Sequence, residues 1–271
     1  METVKPILFS APMIQAILEG RKKQTRRIIK NPSKIESDDN FEVVERCHLI
    51  TAKSGLRKID VGNPYLWPEI YDHHRKDKEV DNYIHLDCPY GQTGGALWVR
   101  ETFSITHQSQ GHEYPEVEIE DADFIPKNCE GAYWKPCYHA DWTRDETVED
   151  RGFKWRPSIH MPRWINRITL EIKDIRVERL QDISEEDAEA ESIVQFANKG
   201  YAHYGAILVD RNRIFQTDIE FVGDTAVEAF RLLWQSINGS DSWNKNPWVW
   251  IVEFEAHQCN IDEYLKQKKE K

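Results

Sequence analysis

Arg167-Ile-Thr-Leu-Glu-Ile-Lys-Asp-Ile-Arg-Val-Glu-Arg-Leu180, followed at once by Gln181-Asp-Ile-Ser-Glu-Glu-Asp-Ala-Glu-Ala-Glu-Ser-Ile193, decides the fold. Ile168, Leu170 and Ile172 recur at every second position, the period of a strand with one buried face, and the later apolar residues are expected to face inward too. Ser184 with Asp187 three residues on is a variant of the capping box, so a helix opens there. A long strand running directly into a helix is the first element of an α+β core.

Working outward, Pro6-Ile-Leu-Phe-Ser10 has strand character, and Ser10 with Pro12 marks a helix start. Met13, Ile14, Ala16, Ile17 and Leu18 give that helix an apolar stripe, which ends at Gly20. A loop or short strand is expected next. The glycines of Cys88-Pro-Tyr-Gly-Gln-Thr-Gly-Gly precede a strand in which Leu97, Val99 and Glu101 alternate with Trp98, Arg100 and Thr102. Thr225 to Gly239 reads as an amphipathic helix closed by Asn238-Gly239, and Pro247-Trp-Val-Trp-Ile-Val-Glu-Phe-Glu255 as the last strand. Three stretches, about 31–85, 107–153 and 197–224, lack steady periodicity and read as irregular insertions, with one strand expected at Gly131-Ala-Tyr-Trp-Lys135. Few crossover helices of the length a parallel sheet needs are present, so a closed or nearly closed β-barrel carrying a few helices is expected, as one domain over 1–271.

Composition narrows the class. With 39% hydrophobic residues, 11% aromatics and 10 Trp among 271 residues, the chain has ample material for a core. No run approaches the ~18 apolar residues of a membrane span. The first residues run from acidic to apolar to basic, the reverse of a secretory signal, so the expectation is a cytoplasmic protein without a membrane partner. The net charge of −11 argues against nonspecific coating of nucleic acid. It leaves room for a local basic pocket, since Arg21, Lys22, Lys23, Arg26, Arg27 and Lys30 crowd together. The same cluster is also what a solvated helix end looks like.

The 5 cysteines are scattered and none forms a CxxC, which argues against a disulfide framework. Cys129, Cys137 and His139 are zinc-ligand types, but their spacing fits no common zinc motif, so structural thiols and no metal are expected.

Gly20-Arg-Lys-Lys-Gln-Thr-Arg-Arg27, the glycine turn before Ala96-Leu-Trp-Val-Arg-Glu101, the Leu180–Ile193 segment and the strand ending Val252-Glu-Phe254 resemble, in that order, the ASCH superfamily. Trp155-Arg-Pro-Ser-Ile-His-Met-Pro-Arg-Trp164 and Trp-Gln-Ser-Ile-Asn-Gly at 234–239 resemble a phage and prophage branch of it. The resemblance implies a PUA-like barrel, decorated here by helices and large insertions, with a cleft for RNA or a modified nucleobase. One branch hydrolyses N4-acetylcytidine, with no cofactor, through a Lys, a Thr and a Glu that fall on Lys22, Thr25 and Glu191.

The residue types suit that chemistry. An amide is a poor electrophile, so its hydrolysis benefits from a nucleophile such as Thr25, a base such as a desolvated Lys22, and a group such as Glu191 to move or orient a proton. Backbone N–H groups of the turn after Gly20 are the candidate oxyanion donors. Arg21, Arg26, Arg27, Arg100, Arg156 and His160 are the candidate substrate-binding groups, because arginine grips phosphate and stacks on bases. The tryptophans at 98, 155, 164, 248 and 250 offer stacking surfaces, although on strands they more often belong to the core. Three functions remain open: a nucleoside- or nucleotide-binding amidohydrolase, a noncatalytic reader of RNA or modified DNA, and a ribonuclease.

Overall fold

The structure, a computed structural model, describes residues 4–30, 41–44, 49–52, 59–60, 84–85, 88–107, 134–142, 152–198, 201–207 and 219–270. It is a mixed α/β protein. The strands are β1 (Val4–Leu8), β2 (Gln24–Ile28), β3 (Phe41–Val44), β4 (Leu49–Ala52), β5 (Ile59–Asp60), β6 (Ile84–His85), β7 (Ala96–Arg100) and β8 (Phe103–His107). They continue with β9 (Trp134–Tyr138), β10 (Thr169–Arg179), β11 (Ile193–Asn198), β12 (Tyr201–Ile207), β13 (Ile219–Gly223) and β14 (Trp248–His257). Four α-helices stand among the described residues: α1 (Ala11–Leu18), α2 (Glu185–Ala190), α3 (Ala226–Asn238) and α4 (Ile261–Glu270). None is long and apolar enough to cross a membrane.

The principal sheet has the order β1-β7-β10-β14-β2, parallel between β1 and β7 and antiparallel elsewhere. β14 lies inside it and is buried on both faces. Trp248, Trp250, Val252 and Phe254 join Ile14 and Ile17 of α1 on one face, while Val249 and Ile251 join Ala188 of α2 and Ala226, Ala229, Phe230 and Trp234 of α3 on the other. Each such large side chain contributes about 1.5–3 kcal/mol by leaving water. β14 therefore reads as a continuous apolar run rather than an alternating one.

The expected alternation of β10 holds with one change of phase. A bulge between Ile172 and Asp174 moves the inward set from Leu170 and Ile172 to Ile175 and Val177. The same bulge turns Arg176 and Glu178 toward the α2 side, where they become part of the site described below.

The helix ends follow their sequence signals. Ser184 Oγ accepts from the Asp187 N–H at 3.1 Å, Thr225 Oγ1 accepts from the Glu228 N–H at 3.1 Å, and Gly20 closes the α1 turn at φ +73°.

Two expectations differ. No pairing among the described residues closes the principal sheet into a barrel; β1 and β2 are its two ends. The 197–224 stretch, expected to be irregular, contributes β12 and β13, which with β11 form a three-stranded antiparallel sheet. A side chain at Gly205 would meet Ile219 Cγ2 at 2.4 Å, so glycine there serves close strand packing rather than a loop. Of the 31–85 and 107–153 stretches, the described pieces are β3 paired with β4, β5 with β6, β9 with β8, a short 3-10 turn at His139–Asp141 with residue 142 after it, and residues 152–153; the remainder lies outside the described residues.

Candidate functional site

Past Gly20 the Arg21 and Lys22 N–H groups both donate to the Ala16 carbonyl, at 2.8 and 3.0 Å, and the chain reverses into β2. On the far side of the sheet, α2 ends at Glu191, and Ser192, at φ +85°, turns the chain into β11. A left-handed residue usually ends a helix as glycine; serine pays about 1 kcal/mol or more for the same turn. These two turns meet. Lys22 and Glu191 form an antiparallel bridge, and Lys22 Nζ lies 2.5 Å from Glu191 Oε2 and 3.3 Å from its carbonyl oxygen.

Both side chains are buried, at 2% and 5% exposure. Burial is the largest influence on Lys22 and pushes its pKa below the ordinary lysine value; Glu191 partly offsets this, and Arg27 and Arg26 add to the lowering.

Alternation along β2 sends neighbouring side chains to opposite faces. Thr25 and Arg27 oppose Val252 and Trp250 on the α1 side, and Arg26 opposes Ile251 on the α3 side. Arg26 Nη2 is 2.6 Å from Asp187 and 3.7 Å from Glu178, and Nη1 is 3.5 Å from Glu191. Arg176 shares Asp187 at 2.8 Å and also pairs with Glu178 and Glu253. Burial works against the Asp187 carboxylate, but Arg26 and Arg176 outweigh it and hold its pKa below the ordinary value.

A cavity of about 570 Å³ lies against β2, the open end of the principal sheet, within the range of small-molecule sites. Lys22, Thr25, Arg26, Arg27 and Glu191 contribute to its wall. Apolar and aromatic walls come from Met13, Tyr90, Phe230, Trp234 and Ile237, and from Ala206 and Ile207 of β12. Ser192 and Phe221, two of the three non-glycine residues with positive φ among the described residues, also line it. Such backbone is costly, above all for an aromatic residue, and tends to gather at functional sites.

The sequence candidates separate. Lys22, Thr25, Glu191, Arg26 and Arg27 meet at this cavity. Arg27 lies over the Phe9 ring at 5.0 Å and donates to the Leu8 carbonyl at 2.7 Å. Arg21 pairs locally with Glu19 at 2.6 Å. Arg100 packs over Trp98 at 5.3 Å, Arg156 bridges Phe103 in main-chain pairing, and the exposed His160 sits on a short 3-10 turn; none of Arg21, Arg100, Arg156 and His160 lines the cavity. The expected oxyanion donors are spent: the N–H groups of residues 20 to 23 bond to the carbonyls of Ile17, Ala16, Ala16 and Ala190.

Of the five tryptophans offered for stacking, Trp248 and Trp250 are core, as their strand positions suggested. The cavity instead uses Trp234, which was legible only as part of the Trp-Gln-Ser-Ile-Asn-Gly motif; Ser236, Ile237 and Asn238 of that motif line it too.

Cys88 and Cys259 are free thiols, and burial pushes the Cys88 pKa up to about 11, so it stays protonated. Cys129 lies outside the described residues. Glu171, Glu255 and His257 bring their ligating atoms within 4.8 Å of one another, but Lys173 reaches Glu171 at 2.9 Å and Glu255 at 2.8 Å and already supplies the cation. Comparison of the chain with protein-family models, with curated proteins and with solved structures finds no match.

Proposed function

We propose that the chain is a PUA-like protein of the ASCH type whose cavity binds a modified nucleoside or nucleotide and hydrolyses an N-acyl group from its base. The observation that carries this reading is the meeting of a buried Lys22–Glu191 pair and Thr25 at one cavity with aromatic walls. Phe230 and Trp234, with ring centres 6.0 Å apart and planes tilted 43° to each other, give the cavity aromatic walls against which a planar heterocycle packs.

The chemistry proceeds in two halves. Thr25 Oγ1 attacks the acyl carbon while its proton passes to the Lys22 amine. The tetrahedral intermediate collapses, the C–N bond breaks, and that proton goes to the departing exocyclic nitrogen. Water then attacks the acylated threonine, giving a proton to Lys22, which returns it to Thr25 Oγ1 as the carboxylic acid leaves. Glu191 holds the Lys22 side chain and stabilises its ammonium between transfers. Lowering of the Lys22 pKa by burial is what makes the free amine accessible nearer neutral pH.

The test is release of cytidine from N4-acetylcytidine by the purified protein. Thr25→Val keeps the branched shape without a nucleophile, so turnover should fall by at least about 10³-fold with the thermal transition unchanged. Robust turnover by that variant removes Thr25 from the nucleophile role. A wild type that binds acylated nucleosides without turnover is a reader, and one that cleaves RNA instead is a nuclease.

A further inference from the structure

β2 ends the principal sheet, so one of its edges bonds to β14 and, among the described residues, no strand lies beyond the other past the Lys22–Glu191 bridge. Two main-chain bonds fix which residues use which edge. Phe254 N–H donates to Lys23 O at 2.9 Å and Ile29 N–H donates to Trp248 O at 3.0 Å, within a register that pairs Thr25 with Val252 and Arg27 with Trp250. In an antiparallel ladder the bonded pairs recur every second residue, so the odd-numbered residues of β2 bond to β14. Arg26 and Ile28 therefore turn their N–H and C=O outward, and both residues line the cavity. Main-chain groups at a largely apolar wall need partners.

We propose that this short open edge reads the base: the Arg26 carbonyl accepts from the exocyclic N–H, and the Ile28 N–H donates to the adjacent ring nitrogen of a cytosine-type heterocycle. The inference rests on the nucleobase reading above and adds what selects the base. It also gives the ligand a direction. With the exocyclic nitrogen opposite Arg26 and the ring nitrogen opposite Ile28, the acyl group extends toward Thr25 and Lys22. The sugar then points along the strand toward Lys30, which also lines the cavity and whose charge suits a phosphate.

A heterocycle fits better than an added peptide strand. Of the three residues of β2 that turn outward, Gln24, Arg26 and Ile28, only Arg26 and Ile28 line the cavity, and the Lys22–Glu191 bridge and the Lys23 N–H to Ala190 carbonyl bond, at 2.9 Å, limit the edge just before β2. An extended peptide draws its affinity from a longer row of main-chain bonds.

Proline at an edge position with its N–H facing outward removes that donor and leaves the ladder intact. The experiment measures binding of cytidine, N4-acetylcytidine and 3-deazacytidine, in which C–H replaces the ring acceptor, to wild type, Ile28→Val and Ile28→Pro. Wild type and Ile28→Val should bind the first two and bind 3-deazacytidine about tenfold more weakly. Ile28→Pro, folded as judged by its thermal transition, should bind all three alike at the weaker level. Equal binding of cytidine and 3-deazacytidine by wild type overturns the edge reading while leaving the nucleobase site standing, and decides the matter even where the proline variant does not fold. Unchanged cytidine binding by a folded Ile28→Pro overturns it as well. Wild type that binds no nucleoside, or takes an extended peptide instead, overturns both readings.

Discussion

Lys22 Nζ and Glu191 Oε2 lie 2.5 Å apart, and their main chains form a bridge across a separation of 169 positions. The contact ties the start of β2 to the end of α2 and aligns the two segments that carry the proposed chemistry. Removing one member of a buried ion pair leaves the other charge uncompensated. Lys22→Met should therefore cost about 3 kcal/mol or more in chemical denaturation, with Arg26 at 3.5 Å from Glu191 limiting the loss. The double variant Lys22→Met with Glu191→Leu should regain most of that stability and remain inactive. A double variant as unstable as the single one would show that the pair is not what the single variant disturbed.

Arg26 belongs to folding as much as to the ligand. Its side chain is 1% exposed and held by Asp187, which Arg176 shares. Asp187→Asn should destabilise by about 2 kcal/mol, since a charged hydrogen-bond partner is lost to two guanidinium groups. The sign with pH follows from the depressed Asp187 pKa. Its stabilisation is fully present above the unfolded-state value and is lost as pH falls through the folded-state value. Denaturation followed from pH 7 downward should show a smaller acid loss for Asp187→Asn than for wild type. Equal losses would place the acid sensitivity elsewhere.

Much of this was legible in the sequence, and the gaps have physical causes. The helix start at Ser184 could be read because a cap is a local bond between residues three apart. β10 could be read because its period is local; its bulge could not, because a bulge exists only relative to the partner strand. Lys22, Thr25 and Glu191 were named together from a resemblance, and nothing in their own spacing places Glu191 beside Lys22. The roles of the arginines were the least legible. Charge alone does not distinguish Arg26, paired with carboxylates from two other elements, from Arg27, lying over Phe9. Trp234 and Ile237 were legible only within the Trp-Gln-Ser-Ile-Asn-Gly motif, and nothing local in that motif places them beside β2 at a cavity.

Gly205 tests the three-stranded sheet that sequence periodicity missed. A Cβ there would lie 2.4 Å from Ile219 Cγ2 and 3.0 Å from the Glu220 carbonyl oxygen, and the backbone oxygen cannot swing away as a side chain can. Gly205→Ala should cost about 1–3 kcal/mol by overpacking. Because Ala206 and Ile207 next to it line the cavity, ligand affinity should fall as well. A variant as stable as wild type would mean that β12 and β13 are not packed as closely as this.

The pH dependence of turnover tests Lys22 as the base. Burial, the largest influence, sets its folded-state pKa below the ordinary 10.5, with Glu191 opposing and Arg27 and Arg26 reinforcing. Below the folded-state value the amine is protonated in both states, and the native protein bears the full cost of a buried ammonium. As pH rises through that value toward 10.5, the native state releases its proton while the unfolded chain keeps its own. The unfolded state then binds more protons, so stability rises with pH across this window. Turnover requires the free amine and should climb through the same folded-state value, then level off. Glu191→Gln removes the carboxylate that raises the Lys22 pKa, so the rising limb of the residual activity should move to lower pH. Lys22→Met should show no such limb. A limb centred at the ordinary lysine value, or one that Glu191→Gln leaves in place, would remove Lys22 from the role of base.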